Sequence, residues 1–192
     1  MAKRKYEFRP DNLRATLASK LYLTPKQRLT FLRWFLICAL LVVVSVLQDV
    51  ILCRFRFFGA TTDLVPCGII LVCIIEGMNS SCIFALVAAC LYQFSGGPGY
   101  YCIALIVVLG IFISYFRQNF LQPGFSAAML CMAVALLVYE LVVFAAGLLQ
   151  EITLLSRFTL PLYTALLTLV ASGLLYPLTR AIGSIGGEKW KE

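Results

Sequence analysis

The side chains of this sequence that could do chemistry are acids and amides placed in or beside long apolar stretches. They are Gln48, Asp49, Asp63, Glu76 and Glu140. An ionisable group at membrane depth is costly, so it normally faces protein, water or a partner. The chemistry open to Asp63 and Glu140 is therefore that of a small ion-coupled carrier or an intramembrane enzyme.

Glu140 is the most informative of these residues because it falls near the middle of an apolar run. Three interpretations are open: a protonated carboxyl hydrogen-bonded within a helix bundle, a contact with a partner's helix, or a polar pocket. Asp63 follows Thr61 and Thr62 at the expected start of a helix. A carboxylate there suits the positive end of the helix dipole and can cap the helix.

Two further positions border the first apolar run. Gln48 and Asp49 lie toward its outer end, where solvation or hydrogen bonding between helices is expected. Arg33 lies near its start, and its guanidinium is expected to reach the inner membrane interface. Glu76 ends the next run, where we expect it to be solvated by cytoplasmic water.

The sequence has none of the usual motifs for catalysis or cofactor binding. It contains no GxSxG, HExxH, P-loop or dinucleotide-binding pattern. Its lack of His removes the usual general base at neutral pH. Eight Cys occur without a CxxC pair, and in apolar runs Cys acts as a small packing residue. We therefore predict no enzymatic activity, no metal and no cofactor.

The composition is that of a membrane protein, with 61% hydrophobic and 13% charged residues. Soluble domains are about half apolar and a quarter charged. The apolar runs predict an all-α integral membrane protein with about six transmembrane helices, over residues 29–52, 60–76, 79–94, 100–116, 125–149 and 158–182. The second, third and fourth are short, so a re-entrant hairpin for the second and third is an alternative to two full crossings.

Three regions follow from this pattern. Residues 1–28 form a basic cytoplasmic tail, 29–182 a six-helix membrane domain and 183–192 a cytoplasmic tail. Within the first region Leu13, Leu17 and Leu21 recur every four residues. This spacing predicts a short amphipathic helix in the headgroup layer before the first transmembrane helix, with a polar linker as the alternative.

The basic residues predict the orientation of the chain. With six crossings, thirteen of the sixteen Lys and Arg residues fall on the side that holds both termini. The positive-inside rule then places both termini in the cytoplasm. Nine of the sixteen lie in the first 33 residues, which predicts binding to anionic lipid through the N-terminal tail rather than to nucleic acid.

Small residues mark one face of the third expected helix. Ser81, Ala85 and Ala88 share this face, on which another helix can approach closely. Together with the polar residues, they complete a set of candidate partner-binding or buried polar residues: Gln48, Asp49, Asp63, Glu140, Ser81, Ala85 and Ala88.

Three stretches of the chain carry a family resemblance. They are LQDVILCRFRFFGATTDLVPCGIILVCIIEG, SSCIFALVAACLYQFSGGPGYYCIALIVVLGIFISYFR and Tyr139-Glu140-Leu141 before a long last helix. In their order and spacing, residues 29–182 resemble the rod shape-determining protein MreD family. Leu47-Gln48, Gly59 and Asp63-Leu64 stand where that family has a Leu-Gln pair, a Gly and an Asp-Leu pair. Two departures are Thr62 in place of a common Pro, and Tyr92-Gln93 where an Asp is frequent.

The resemblance implies a non-enzymatic role. MreD-like proteins are multi-pass proteins of the bacterial cytoplasmic membrane that act in the cell-elongation machinery. They are associated with MreC, the actin-like MreB and peptidoglycan synthases. In this interpretation the chain is a membrane scaffold that regulates cell shape through helix–helix contacts.

A second family is similar in outline: the substrate-capture subunits of energy-coupling-factor vitamin transporters, which also have six helices. Such a subunit needs a pocket open to the outside, lined by convergent polar and aromatic side chains. The expected outer loops are short and mostly lack such groups, apart from Tyr100 and Tyr101. The presence or absence of a pocket therefore separates the two interpretations.

Overall fold

The protein folds as a bundle of helices. The computed structural model describes residues 25–55, 57, 59–120 and 124–185. These residues contain no β-strand and six α-helices: α1 (Pro25–Val50), α2 (Leu64–Ile75), α3 (Met78–Phe94), α4 (Tyr101–Phe120), α5 (Phe125–Leu149) and α6 (Thr159–Gly183). The amphipathic helix expected before residue 25 and most of the C-terminal tail lie outside the described residues.

Four of the helices are long and apolar enough to cross a membrane: α1, α4, α5 and α6. The membrane class predicted from composition is supported to that extent. At 1.5 Å per residue, the 12 residues of α2 and the 17 of α3 extend about 18 Å and about 25 Å, less than a hydrocarbon core of about 30 Å. Six full crossings and the re-entrant hairpin both stay predictions.

The shortest helix, α2, occupies the centre of the bundle. Eleven of its 12 residues are buried, and it packs against all five other helices. A helix that is apolar on every side is stable only when other helices surround it or in lipid. Cys67 and Cys73 are fully buried in α2, where they contribute to this packing.

Successive helices run in opposite directions, as contacts at the helix ends show. Arg33, near the start of α1, forms an ion pair with Glu76, directly after α2. Ser114, near the end of α4, donates a hydrogen bond of 2.6 Å to the carbonyl of Cys73, near the end of α2. The start of α1 and the ends of α2 and α4 therefore share one face of the bundle, which we call the Glu76 face.

The last two helices follow the same alternation. The rings of Phe125, the first residue of α5, and Tyr176, in the last third of α6, lie 5.1 Å apart. A Cβ atom built on Gly183, the last residue of α6, would lie 2.7 Å from the side chain of Ile75 in α2. Both the start of α1 and the end of α6 thus lie at the Glu76 face. The opposite face holds the end of α1, with Gln48, and is called the Gln48 face.

Candidate functional site

Among the described residues, two groups of buried polar side chains stand out, one near each face. The first, the Gln48 cluster, consists of Gln48, Asp63 and Thr168. The Gln48 side-chain Nε2 donates to Asp63 Oδ1 at 3.1 Å. Its Oε1 accepts the backbone N–H of Val65 at 2.8 Å, while the backbone N–H of Asp63 donates to Thr168 Oγ1 at 3.1 Å. One cluster thereby joins α1, α2 and α6.

The cluster corrects the role predicted for Asp63. Asp63 occupies the N-cap position of α2, but its side chain makes no capping hydrogen bond. The first N–H groups of a helix have no partner within the helix. Gln48 supplies one of these partners from a different helix, through the bond from Val65 N–H. Asp63 instead accepts the amide of Gln48, so its carboxylate serves to hold α1 against the start of α2.

The two adjacent polar residues of α1 have different roles. Gln48 is 9% exposed and lies in the cluster, so of the two alternatives predicted for it, hydrogen bonding between helices is the one observed. Asp49 is exposed on the outer side of the helix, which agrees with the other alternative, a solvated side chain. The difference arises because adjacent helical residues point about 100° apart, and only one of the two can face α2.

Thr168 was not identified from the sequence. Its hydroxyl accepts from Asp63 and donates to the carbonyl of Thr164 at 2.7 Å. Thr164, Thr168 and Ser172 recur every four residues on α6, and Thr168 and Ser172 are fully buried. This stripe of hydroxyl residues, repeated every four positions in an apolar run, is the sequence pattern from which a buried polar role of Thr168 could have been predicted.

Glu140 lies beside the Gln48 cluster, in the second half of α5. The residue is 7% exposed, and its Oε1 atom has no hydrogen-bond partner among the described residues. Asp63 is near enough to interact with it electrostatically. Glu140 lines a cavity of about 330 Å³ between α5 and α6. Of the three interpretations left open for this residue, the polar pocket is the one that this position favours.

The second buried polar group lies at the Glu76 face. Glu76 is 5% exposed and forms an ion pair with Arg33, whose side chain is 16% exposed. The expectation that water solvates Glu76 is therefore wrong. The guanidinium of Arg33 also does not simply extend to the interface. It turns toward Glu76, because pairing removes much of the cost of burying either charge alone.

The small residues predicted to form a partner-binding face mostly pack against other helices of this chain. Ser81 is fully buried and its Oγ donates to the carbonyl of Cys73 at 3.2 Å. Ala85 is also fully buried, against Gly110 of α4. These two residues let α2, α3 and α4 approach closely, so the neighbouring helix that they accommodate belongs to this chain. Ala88, two turns along from Ser81, is also buried at 5% exposure, and it borders the surface groove between α1 and α3 that is described below.

Substitution of Gly110 is expected to disrupt this contact. A Cβ atom at Gly110 would lie 3.1 Å from Cys73 Sγ and 3.4 Å from Ala85 Cβ. Gly110→Val should therefore lower the free energy of unfolding by about 1–3 kcal/mol, the usual cost of overpacking. The thermal unfolding midpoint of the purified protein in detergent measures this.

Gly173 of α6 provides the matched control, since a Cβ atom there would meet nothing within 4 Å. Gly173→Val changes the same side chain in a helix of similar length. Equal loss of stability in the two variants would contradict the close contact at Gly110.

An apolar groove runs between α1 and α3 on the outer surface of the bundle. Its volume is about 330 Å³, and its walls include the large side chains Leu41, Phe84 and Leu91. Small residues from both helices line the groove as well: Cys38, Ser45 and Ala88. Large side chains beside small ones make a surface of ridges and depressions into which another helix can pack.

Comparison of the chain with models of protein families, with curated proteins and with solved structures gives no significant match.

Proposed function

We propose that this chain is a non-enzymatic scaffold of the bacterial cell-elongation machinery, embedded in the cytoplasmic membrane. It regulates cell shape by binding the membrane helices of partners such as an MreC-like protein. An MreB-like protein and peptidoglycan synthases belong to the same assembly. The observation that carries the proposal is the apolar groove between α1 and α3, together with the resemblance of residues 29–182 to the MreD family.

The groove suits a single transmembrane helix from a partner. Lipid tails are as apolar as the groove, so association there depends on close packing rather than on hydrophobic burial. Ser45 and Ala88 allow a helix backbone to approach, while Val42, Val46 and Val87 offer side chains on which it can pack. The buried polar groups hold this chain together internally, which leaves packing as the means of recognition at the groove.

The orientation expected from the sequence fits the same proposal. Among the described residues, Arg28, Arg33, Arg117 and Arg180 belong to the Glu76 face, and Arg54 and Arg157 to the Gln48 face. Placing the Glu76 face in the cytoplasm satisfies the positive-inside rule. The basic N-terminal tail would then meet anionic lipid on the cytoplasmic side.

Filling the groove should abolish partner binding without unfolding the bundle. Ser45 lies at the groove and is half-buried, so Ser45→Phe places a ring where a partner helix would pack. We expect at least a tenfold loss of MreC-like protein recovered with the tagged chain. The measurement is in-membrane crosslinking in the native host, followed by affinity purification and mass spectrometry.

The control variant is Val170→Phe, which adds a ring on the outer side of α6, where the native side chain is 66% exposed. This variant should recover the partner as the wild-type chain does. If Ser45→Phe retains full recovery while folding normally, the groove is not the binding surface. If the wild-type chain recovers no MreC-like protein, MreB-like protein or peptidoglycan synthase, the scaffold proposal fails.

The substrate-capture subunit of an energy-coupling-factor transporter is the second candidate. The cavity beside Glu140 favours it, because a capture subunit needs a pocket lined by polar groups near the outer face. The same purification separates the two functions. Recovery of paired ATPases and a coupling subunit, in place of cell-elongation proteins, would identify a transporter component.

A further inference from the structure

The cavity between α5 and α6 has polar groups at both ends and apolar walls between them. Glu140 lies at its inner end, in the second half of α5. Thr153 and Arg157, in the connection between the two helices, lie at the Gln48 face. Phe144 and Leu160 contribute to the apolar wall. The cavity volume of about 330 Å³ is enough for a small organic molecule or a lipid headgroup.

Two of the residues that line this cavity each carry a polar atom without a partner in the part of the chain that is described. These atoms are Glu140 Oε1 and Thr153 Oγ1, both of which are shielded from solvent. About nine in ten buried polar groups in proteins are hydrogen-bonded, because desolvation without a partner is costly. Glu140 is more than nine-tenths buried. Two such atoms on residues that line one cavity favour a ligand that supplies the missing partners.

The charges at the cavity specify the chemistry of this ligand. Glu140 and Arg157 line the same cavity, yet they form no ion pair with each other. Asp63 is near enough to Glu140 to interact with it electrostatically and adds to the negative potential at the inner end. Arg157 is exposed at the rim, where its guanidinium can bind a phosphate or a carboxylate. An ammonium group fits the inner end and an anionic group fits the rim.

We propose that the cavity between α5 and α6 binds a small zwitterionic group, with its ammonium at Glu140 and its phosphate or carboxylate at Arg157. The aminoethyl phosphate group has this chemistry. It could come from a phosphatidylethanolamine headgroup of the adjacent leaflet or from a free solute. This binding does not depend on the groove between α1 and α3, so it can be tested independently of the scaffold role.

The test uses the full chain in phosphatidylcholine nanodiscs. One arm adds free O-phosphoethanolamine, and the other replaces half of the lipid by phosphatidylethanolamine. A ligand that binds only the folded state raises the thermal unfolding midpoint. We expect a higher midpoint for the wild-type chain in at least one arm. Glu140→Gln and Arg157→Gln should each weaken the apparent affinity at least tenfold.

Two matched variants separate site binding from general effects of the lipid. Asp49→Asn removes an exposed carboxylate of α1, and Arg54→Gln removes an arginine from the connection between α1 and α2 at the same face. Both should keep the wild-type response. Arg157 is exposed, so its variant keeps the test decisive even if Glu140→Gln lowers stability on its own.

The two arms also identify the source of the ligand. A shift with phosphatidylethanolamine alone indicates a lipid site, and a shift with free O-phosphoethanolamine indicates a solute site. Either result, if lost in both variants, supports the proposal. No shift in either arm overturns it, as does a shift of equal size in the wild-type chain and in Glu140→Gln and Arg157→Gln.

Discussion

Glu76→Gln is expected to lower the free energy of unfolding of the bundle by about 3 kcal/mol, the cost of removing one partner from a buried ion pair. The reason is the charge that remains. Arg33 is 16% exposed and Glu76 is its salt-bridge partner in the described structure. A neutral amide can accept a hydrogen bond, but it does not balance a guanidinium in a largely apolar surrounding. The thermal midpoint and the fraction of folded protein extracted in mild detergent measure the loss.

A double variant distinguishes loss of the pair from loss of packing. Replacing both Arg33 and Glu76 by leucine removes the two charges together, and apolar replacement of a whole buried pair is often neutral for stability. Most of the lost stability should return. Glu151→Gln, at an exposed acid after α5, is the control and should behave as wild type. A Glu76→Gln protein as stable as that control would refute the structural role of the ion pair.

Gln48→Leu is the second substitution with a large expected effect, about 2–4 kcal/mol lost from the free energy of unfolding. The change leaves the backbone N–H of Val65 and the Oδ1 atom of Asp63 without their partner. A buried group left unsatisfied costs about 1–3 kcal/mol, and the cost at Asp63 lies at the lower end because this residue is half-buried. Leucine has nearly the size of glutamine, so the loss reports hydrogen bonding rather than a cavity.

The neighbouring residue provides a direct comparison for this prediction. Asp49→Leu places the same side chain one position along α1, where the native residue is exposed. That variant should keep the wild-type unfolding midpoint or raise it. Should Gln48→Leu unfold at the same temperature as Asp49→Leu, the Gln48 cluster contributes nothing to the attachment of α1 to α2.

Much of the helical arrangement is predictable from local sequence. The fifth helix was predicted over residues 125–149 and α5 has the same bounds, because Gly124 and a polar connection flank the apolar run. The first helix begins at Pro25 rather than at residue 29, since Pro is favoured in the first turn of a helix. The second begins at Leu64 rather than at residue 60, because residues 61–63 are irregular and Asp63 bonds to other helices.

The candidate polar residues were predictable from composition, whereas their partners were not. Gln48, Asp63 and Glu140 are conspicuous because each is a polar residue in or beside an apolar run. Their contacts depend on residues far away in the sequence: Asp63 bonds to Thr168, 105 positions later, and Arg33 to Glu76, 43 positions later. Local periodicity carries no information on such pairs. The ion pair that accompanies the burial of Glu76 is one of these distant contacts.

The unequal lengths of the outer helices have a consequence for the surrounding lipid. The 17 residues of α3 give an apolar wall of about 25 Å, whereas the 25 residues of α5 give about 37 Å. Both helices expose large apolar side chains, such as Ile83 and Leu130. Hydrophobic mismatch of this kind thins a bilayer locally, at a cost of fractions of a kcal/mol per Å. If α3 crosses the bilayer, the annular lipids beside it would therefore be strained, and a second helix seated there would relieve that strain by displacing them.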